Sequence, residues 1–191
     1  MTSKVNNIFV IGNGTSRQQI DLTTLEGITI GCNALYRDFS PTVLCCADER
    51  MVVEAKKNKF EGQLYTRTEW ADKHNAYPFP PLPYKGDKKF DNPWHWNTGP
   101  HAINLAGQLS NGQCTVTLIG FDLVQNKNYT NVYANTPNYN DKPVDPTHWH
   151  YQIRKLIELY SNTHFVWHTQ QGFVCPKNWS DYANFEVSYV S

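Results

Sequence analysis

The sequence predicts an α/β fold, a Rossmann-like three-layer sandwich with a mostly parallel central sheet. Two observations carry this expectation. Apolar runs such as Ile8-Phe9-Val10-Ile11 and Val43-Leu44-Cys45-Cys46 are continuous rather than alternating, which marks strands buried on both faces. Between such runs lie stretches with apolar residues at helical spacing, so strands and helices alternate along the chain. At 191 residues the chain is long enough to enclose one sizeable core.

The elements follow in order. Residues 5–12 form the first strand, 27–33 the second, 41–48 the third and 62–67 a shorter fourth. Residues 115–122 form a fifth and 164–169 a sixth. A helix over 98–110 places Ala102, Leu105, Ala106 and Leu109 on one face, with Pro100 tolerated in its first turn. A helix over 146–160 carries Trp149, Ile153, Leu156, Ile157 and Tyr160, with Asp145 placed to cap it and Pro146 as its first residue. A third helix covers 49–59. Two long segments interrupt the alternation, 72–97 with its proline run from Tyr77 to Tyr84, and 123–147, rich in Asn, Tyr and Pro. Both adjoin the carboxyl edge of the sheet, where open α/β folds bind ligands. Residues 1–170 read as a single Rossmann-like domain. Residues 171–191, with Phe173, Trp179, Tyr182, Phe185 and Tyr189, read as an aromatic tail that packs on the domain or on a partner.

Composition excludes several function classes. Seventeen basic residues balance seventeen acidic ones, which argues against nucleic acid as a partner. The clusters Lys56-Lys57-Asn58-Lys59 and Lys85-Gly86-Asp87-Lys88-Lys89 are small and read as solvated surface. No apolar run approaches the roughly 20 residues of a membrane span, and no export signal is visible. The chain therefore reads as soluble and cytoplasmic. Its five cysteines, Cys32, Cys45, Cys46, Cys114 and Cys175, are odd in number and lack a Cys-x-x-Cys pincer, so they read as reduced thiols without zinc.

Three sets of residues could carry chemistry. Gly12-Asn13-Gly14-Thr15-Ser16-Arg17 follows the first strand. Its glycines allow a sharp turn that offers amides to an anion, with Thr15 and Ser16 adding hydroxyls; equally, it is an ordinary strand-to-helix turn. It matches neither the dinucleotide fingerprint nor a P-loop. Asn33, Asp48 and Asp122 each follow an apolar strand and so share the rim of the glycine turn, which suggests a polar crevice. His148, in Asp145-Pro-Thr-His-Trp-His150, would sit in the first turn of its helix, where the positive dipole end keeps imidazole neutral and basic; the plainer alternative is a surface histidine. No nucleophile elbow and no Asp-x-Asp occurs.

Ile11-Gly-Asn-Gly-Thr-Ser16, Gly31-Cys-Asn-Ala-Leu-Tyr36, Asn97-Thr-Gly99 opening a helix and Leu118-Ile-Gly-Phe-Asp-Leu-Val-Gln-Asn126 occur in that order. Over most of residues 5–160 this resembles the Campylobacter-type bacterial sialyltransferases, metal-independent enzymes that use CMP-sialic acid, and more distantly the Maf-like and MptE-like proteins. The resemblance implies that Gly12, Asn13, Gly14, Thr15 and Ser16 contact phosphate and ribose and that Asn33 bonds the cytidine nucleotide. It implies that Thr98 and Gly99 stand for the Ser-Gly pair holding the donor sugar's carboxylate at a helix start, as a helix amino end suits an anion. His148 corresponds, with a one-residue slip, to the base that takes the acceptor's proton. Val124 stands where the family has a tyrosine that stabilises the leaving phosphate, and Tyr129 or Tyr133 is the candidate for its companion. Asp48 falls near the family's asparagine, and His95 replaces its arginine.

The function so implied is transfer of a glycosyl group from a nucleotide-sugar, a CMP-sugar favoured, to a glycan acceptor, with no cofactor or metal and with self-association as an option. One alternative is a magnesium-dependent pterin or nucleotide diphosphate-transferring enzyme using Asp48 and Asp122. Another is a catalytically inactive phage assembly or host-interaction protein that kept the fold, with the aromatic tail as contact arm.

Overall fold

A computed structural model describes residues 7–82, 84, 89–122, 131–142 and 145–189. Eight strands, β1 (Asn7–Ile11), β2 (Ile28–Cys32), β3 (Val43–Cys46), β4 (Gln63–Thr66), β5 (Tyr77–Pro78), β6 (Thr115–Ile119), β7 (His164–Thr169) and β8 (Phe185–Tyr189), form one sheet. Their order is β5-β4-β3-β2-β1-β6-β7-β8, and every neighbouring pair is parallel. The expected mostly parallel α/β sandwich is therefore present, with the sheet parallel throughout. The chain builds outward from β1 in one direction as far as β5, then returns to place β6 on β1's free side. Val10 is thus paired with Ile30 on one side and Leu118 on the other. That reversal is the switch point at which open sheets leave a crevice beyond their carboxyl ends.

Among the described residues four helices connect the strands: α1 (Glu49–Lys57), α2 (Thr68–Ala71), α3 (Thr98–Ser110) and α4 (Thr147–Leu159). Helices α3 and α4 cover one face, where Ala102, Ile103, Ala106, Ile153, Leu156 and Ile157 pack on Val10, Ile30, Leu118, Phe165 and Trp167. Helix α1 covers part of the other face through Met51, Val52 and Ala55 on Leu44, Cys46 and Leu64. The rest of that face is closed by 3-10 turns at Thr15–Gln19, Leu22–Thr24 and Asn33–Arg37 instead of full helices. Alternation along β3 sends Cys45 to the first face and Cys46 to the second. All five cysteines are free, and burial pushes the Cys32 thiol up to about 12, which makes it a core residue rather than a nucleophile.

The expected strands over 41–48 and 115–122 end earlier, at Cys46 and Ile119, because the following residues leave the ladder to form the rim. Gly120 makes that departure in a left-handed conformation, φ +70°, and Asn33 does so after β2 at φ 51°. The stretch 171–191 contributes β8, whose Phe185 pairs with Phe165. Among the described residues no helix is long and apolar enough to cross a membrane.

Candidate functional site

The carboxyl ends of β1 and β6 meet without side chains between them. The Gly12 amide donates to Ile119 O at 2.8 Å and the Gly14 amide to Gly120 O at 2.8 Å. A Cβ on Gly12 would stand 2.6 Å from Gly120 O, and one on Gly14 would stand 2.4 Å from the Asp122 carboxyl carbon. The glycines therefore serve close approach of two chains.

What approaches is Asp122. The Asp122 carboxylate accepts from the Thr15 hydroxyl at 3.2 Å, from the Ser16 amide at 3.1 Å and from the Ser16 hydroxyl. The anion-binding nest of the turn is filled by the protein's own carboxylate, so Thr15, Ser16 and Asp122 are occupied with one another instead of facing a ligand phosphate. Burial raises the Asp122 carboxyl above the usual range, while the Ser16 and Thr15 bonds pull it back down. From the turn, Asn13 is the side chain left over. It is half-buried, its Oδ1 has no hydrogen-bond partner, and its Nδ2 lies 3.4 Å from the Tyr139 hydroxyl.

Asn33 and Thr98 are joined directly. The Thr98 hydroxyl donates to Asn33 Oδ1 at 3.0 Å and accepts from the Ala47 amide at 3.0 Å. One buried hydroxyl thus ties the ends of β2 and β3 to the first turn of α3. It also turns the Asn33 amide nitrogen away from Thr98. Gly99 lies under Phe121, where a Cβ would stand 2.8 Å from the ring, so the helix start is drawn down onto the residue preceding Asp122. Asp48 is the residue this cluster leaves out: it is exposed at the start of α1, 3.9 Å from Arg50.

His148 lies on the same edge of the sheet, in the first turn of α4. Pro146 occupies the N-cap and is not helical, so the helix begins one residue later than expected, and the Asp145 carboxylate accepts from the Thr147 amide at 2.9 Å. The His148 ring packs edge-on against Phe90 at 4.5 Å between centroids and against His95 at 5.6 Å. Partial burial, with His95 and Lys89 nearby, holds its pKa below the ordinary value despite Asp145, which favours the neutral base form. Its link to the Thr98 cluster is Gln152, one turn further along α4 and fully buried. Gln152 Nε2 donates to His95 O at 2.8 Å, and its Oε1 accepts from the Asn97 amide at 3.4 Å. His148 itself has no direct bond to the glycine turn.

The tyrosines separate. Tyr129 lies outside the described residues, as does Val124. Tyr133 is buried, its hydroxyl donating to Asp38 and accepting from Arg17 at 2.8 Å. Tyr139, six residues on, is the one whose hydroxyl reaches Asn13, with the Ala34 backbone beside it. Sequence reasoning missed Tyr139 because nothing local distinguishes it among eleven tyrosines. It also missed Arg67, whose guanidinium donates to Ala47 O at 3.0 Å, Pro93 O at 2.7 Å and Trp96 O at 3.0 Å. Among the described residues no group of three or more His, Cys, Asp or Glu side chains is arranged to hold a metal ion.

No protein-family model matches the chain, and no curated protein matches it. Two solved structures do resemble it. The monofunctional alpha-2,3-sialyltransferase Cst-I from Campylobacter jejuni superposes with a TM-score of 0.60 at 15% identity, over 98% of this chain and 82% of that one. An alpha-2,3-sialyltransferase from Campylobacter jejuni in apo form gives 0.53 at 16% identity, over 98% and 82% of the respective chains. At such identity the likeness is one of fold: the chain has a sialyltransferase-like α/β architecture.

Proposed function

We propose that the protein is a sialyltransferase-like glycosyltransferase that binds a CMP-sugar at the carboxyl rim of the sheet and passes the sugar to a glycan hydroxyl without a metal ion. What supports this most is the bond from Thr98 to Asn33, which sets the amino end of α3 against the end of β2, next to the β1/β6 switch point. The amino end of a 13-residue helix favours an anionic group, here the donor's carboxylate. Asn33 supplies an amide to the nucleotide, and Asn13 with Tyr139 supplies polar hydrogens on the phosphate side. Tyr139 takes the role first given to Tyr129 or Tyr133.

In the reaction the acceptor oxygen attacks the anomeric carbon while the bond from that carbon to the CMP phosphate breaks. The acceptor's proton goes to the neutral imidazole of His148, and CMP leaves as the phosphate anion. Donors already fixed around that phosphate stabilise the charge without reorganising.

Titration calorimetry with CMP, UDP, GDP and ADP in the presence of a chelator tests the reading. Binding of CMP in preference to the other three is expected. Absence of heat with all four, or binding that demands magnesium, overturns it.

A further inference from the structure

Trp94 stands 62% exposed at the tip of the 3-10 turn Pro93–His95, which leads directly into α3. Polar groups fix the backbone that carries this indole, and one cation lies against its ring. Asn92 Oδ1 accepts from the Trp94 amide at 3.0 Å. Arg67 donates to the carbonyls of Pro93, Trp94 and Trp96, and its guanidinium carbon lies 5.3 Å from the centre of the indole. One side of the ring therefore rests on a cation that is itself fixed by four carbonyls, counting Ala47 O. The exposure belongs to the remainder of the ring. In the turn, Asn92 and His95 offer polar groups beside the ring, next to the exposed Pro93.

A flat, immobilised aromatic with a polar frame fits a pyranose. The axial C–H groups of a sugar carry partial positive charge and meet the negative face of the π system, while the hydroxyls around the ring edge reach polar side chains. The plate is also close to the Thr98 cluster in bonding terms: Arg67 holds the Ala47 carbonyl, and the Ala47 amide donates to Thr98. We infer that Trp94 is the stacking platform for the acceptor saccharide. This rests on the transferase reading and adds to it the place where the acceptor sits. Arg67 is the positioning residue behind the platform. Because immobilising a free aromatic costs entropy on binding, a ring fixed in advance retains more of the contact energy.

Saturation-transfer NMR with methyl β-galactoside, methyl β-N-acetylglucosaminide and methyl α-mannoside tests this without turnover. CMP calorimetry is run on the same samples. Wild type is expected to transfer saturation to one face of at least one of these glycosides. Trp94→Phe, which keeps a π face, should retain most of the signal, and Trp94→Ala should lose it at least tenfold with CMP affinity unchanged. Equal signals from wild type and Trp94→Ala overturn the inference, as does CMP binding by wild type with no response from any glycoside. If wild type binds neither CMP nor a glycoside, the transferase reading itself fails and takes the platform with it.

Discussion

At the scale of single residues the site is held by hydrogen bonds whose loss can be measured. The Thr98 hydroxyl is buried between an acceptor on Asn33 and a donor on Ala47, so Thr98→Val keeps the volume and strands a buried amide. A stranded buried group costs about 1–3 kcal/mol. Urea unfolding should show that loss for Thr98→Val and near wild-type stability for Thr98→Ser; an unchanged Thr98→Val would mean the bridge is not formed in solution. Tyr133 offers a second case. Its hydroxyl joins Asp38 and Arg17, while one residue earlier the Val132 amide donates to Asn13 O at 2.8 Å. Tyr133→Phe removes the brace for about 1 kcal/mol and should speed hydrogen exchange at the Val132 amide several-fold while the β1 and β6 amides keep their wild-type rates. Exchange at Val132 identical to wild type would show that the segment is fixed by other contacts.

At the scale of elements, what could be read from the sequence was whatever local pattern encodes. The helix Thr98–Ser110 and the strand His164–Thr169 stand where periodicity placed them, because Ala102, Leu105 and Ala106 recur at helical spacing and the apolar strand residues are continuous. Strand β5 was not legible, since two residues, one a proline, carry no period. The filling of the glycine turn by Asp122 was equally hidden, because residues 16 and 122 are joined only by folding. The same holds for Gln152, an unremarkable polar residue until α4 packs on the approach to α3. Helix α3 also carries a titration that follows from its packing. His101 is buried against Phe79, ring centroids 4.2 Å apart, and burial, with Arg67 adding to it, lowers its pKa from 6.5 to about 3. The native state keeps it neutral while the unfolded chain binds the proton, so its stability contribution is intact above pH 6.5 and is lost as pH falls toward about 3. The slope is at most about 1.4 kcal/mol per pH unit. His101→Phe should flatten the wild-type decline between pH 6.5 and 4.5 in urea unfolding; parallel curves would place His101 in contact with water.

At the scale of the whole molecule, the last stretch of chain decides whether the sandwich closes. Without residues 171–189, β7 would be an edge strand and the apolar end of α4 would face water. Trp179 is 1% exposed and meets Trp167 at 6.4 Å and Phe185 at 5.5 Å, so it plugs the corner between β7, β8 and α4. Asn184 Nδ2 lies 3.1 Å from each of the carbonyls of Ile157, Tyr160 and Thr163, so it ties the tail to the end of α4 and to the turn that leads into β7. These contacts favour the tail as part of the domain rather than an arm reserved for a partner. The difference is measurable. If the tail closes the core, Trp179→Ala removes a buried indole at about 3–5 kcal/mol and lowers the thermal midpoint on the order of 10 °C, with the mass by light scattering unchanged. If the tail belongs to a partner interface, the midpoint stays and the mass falls.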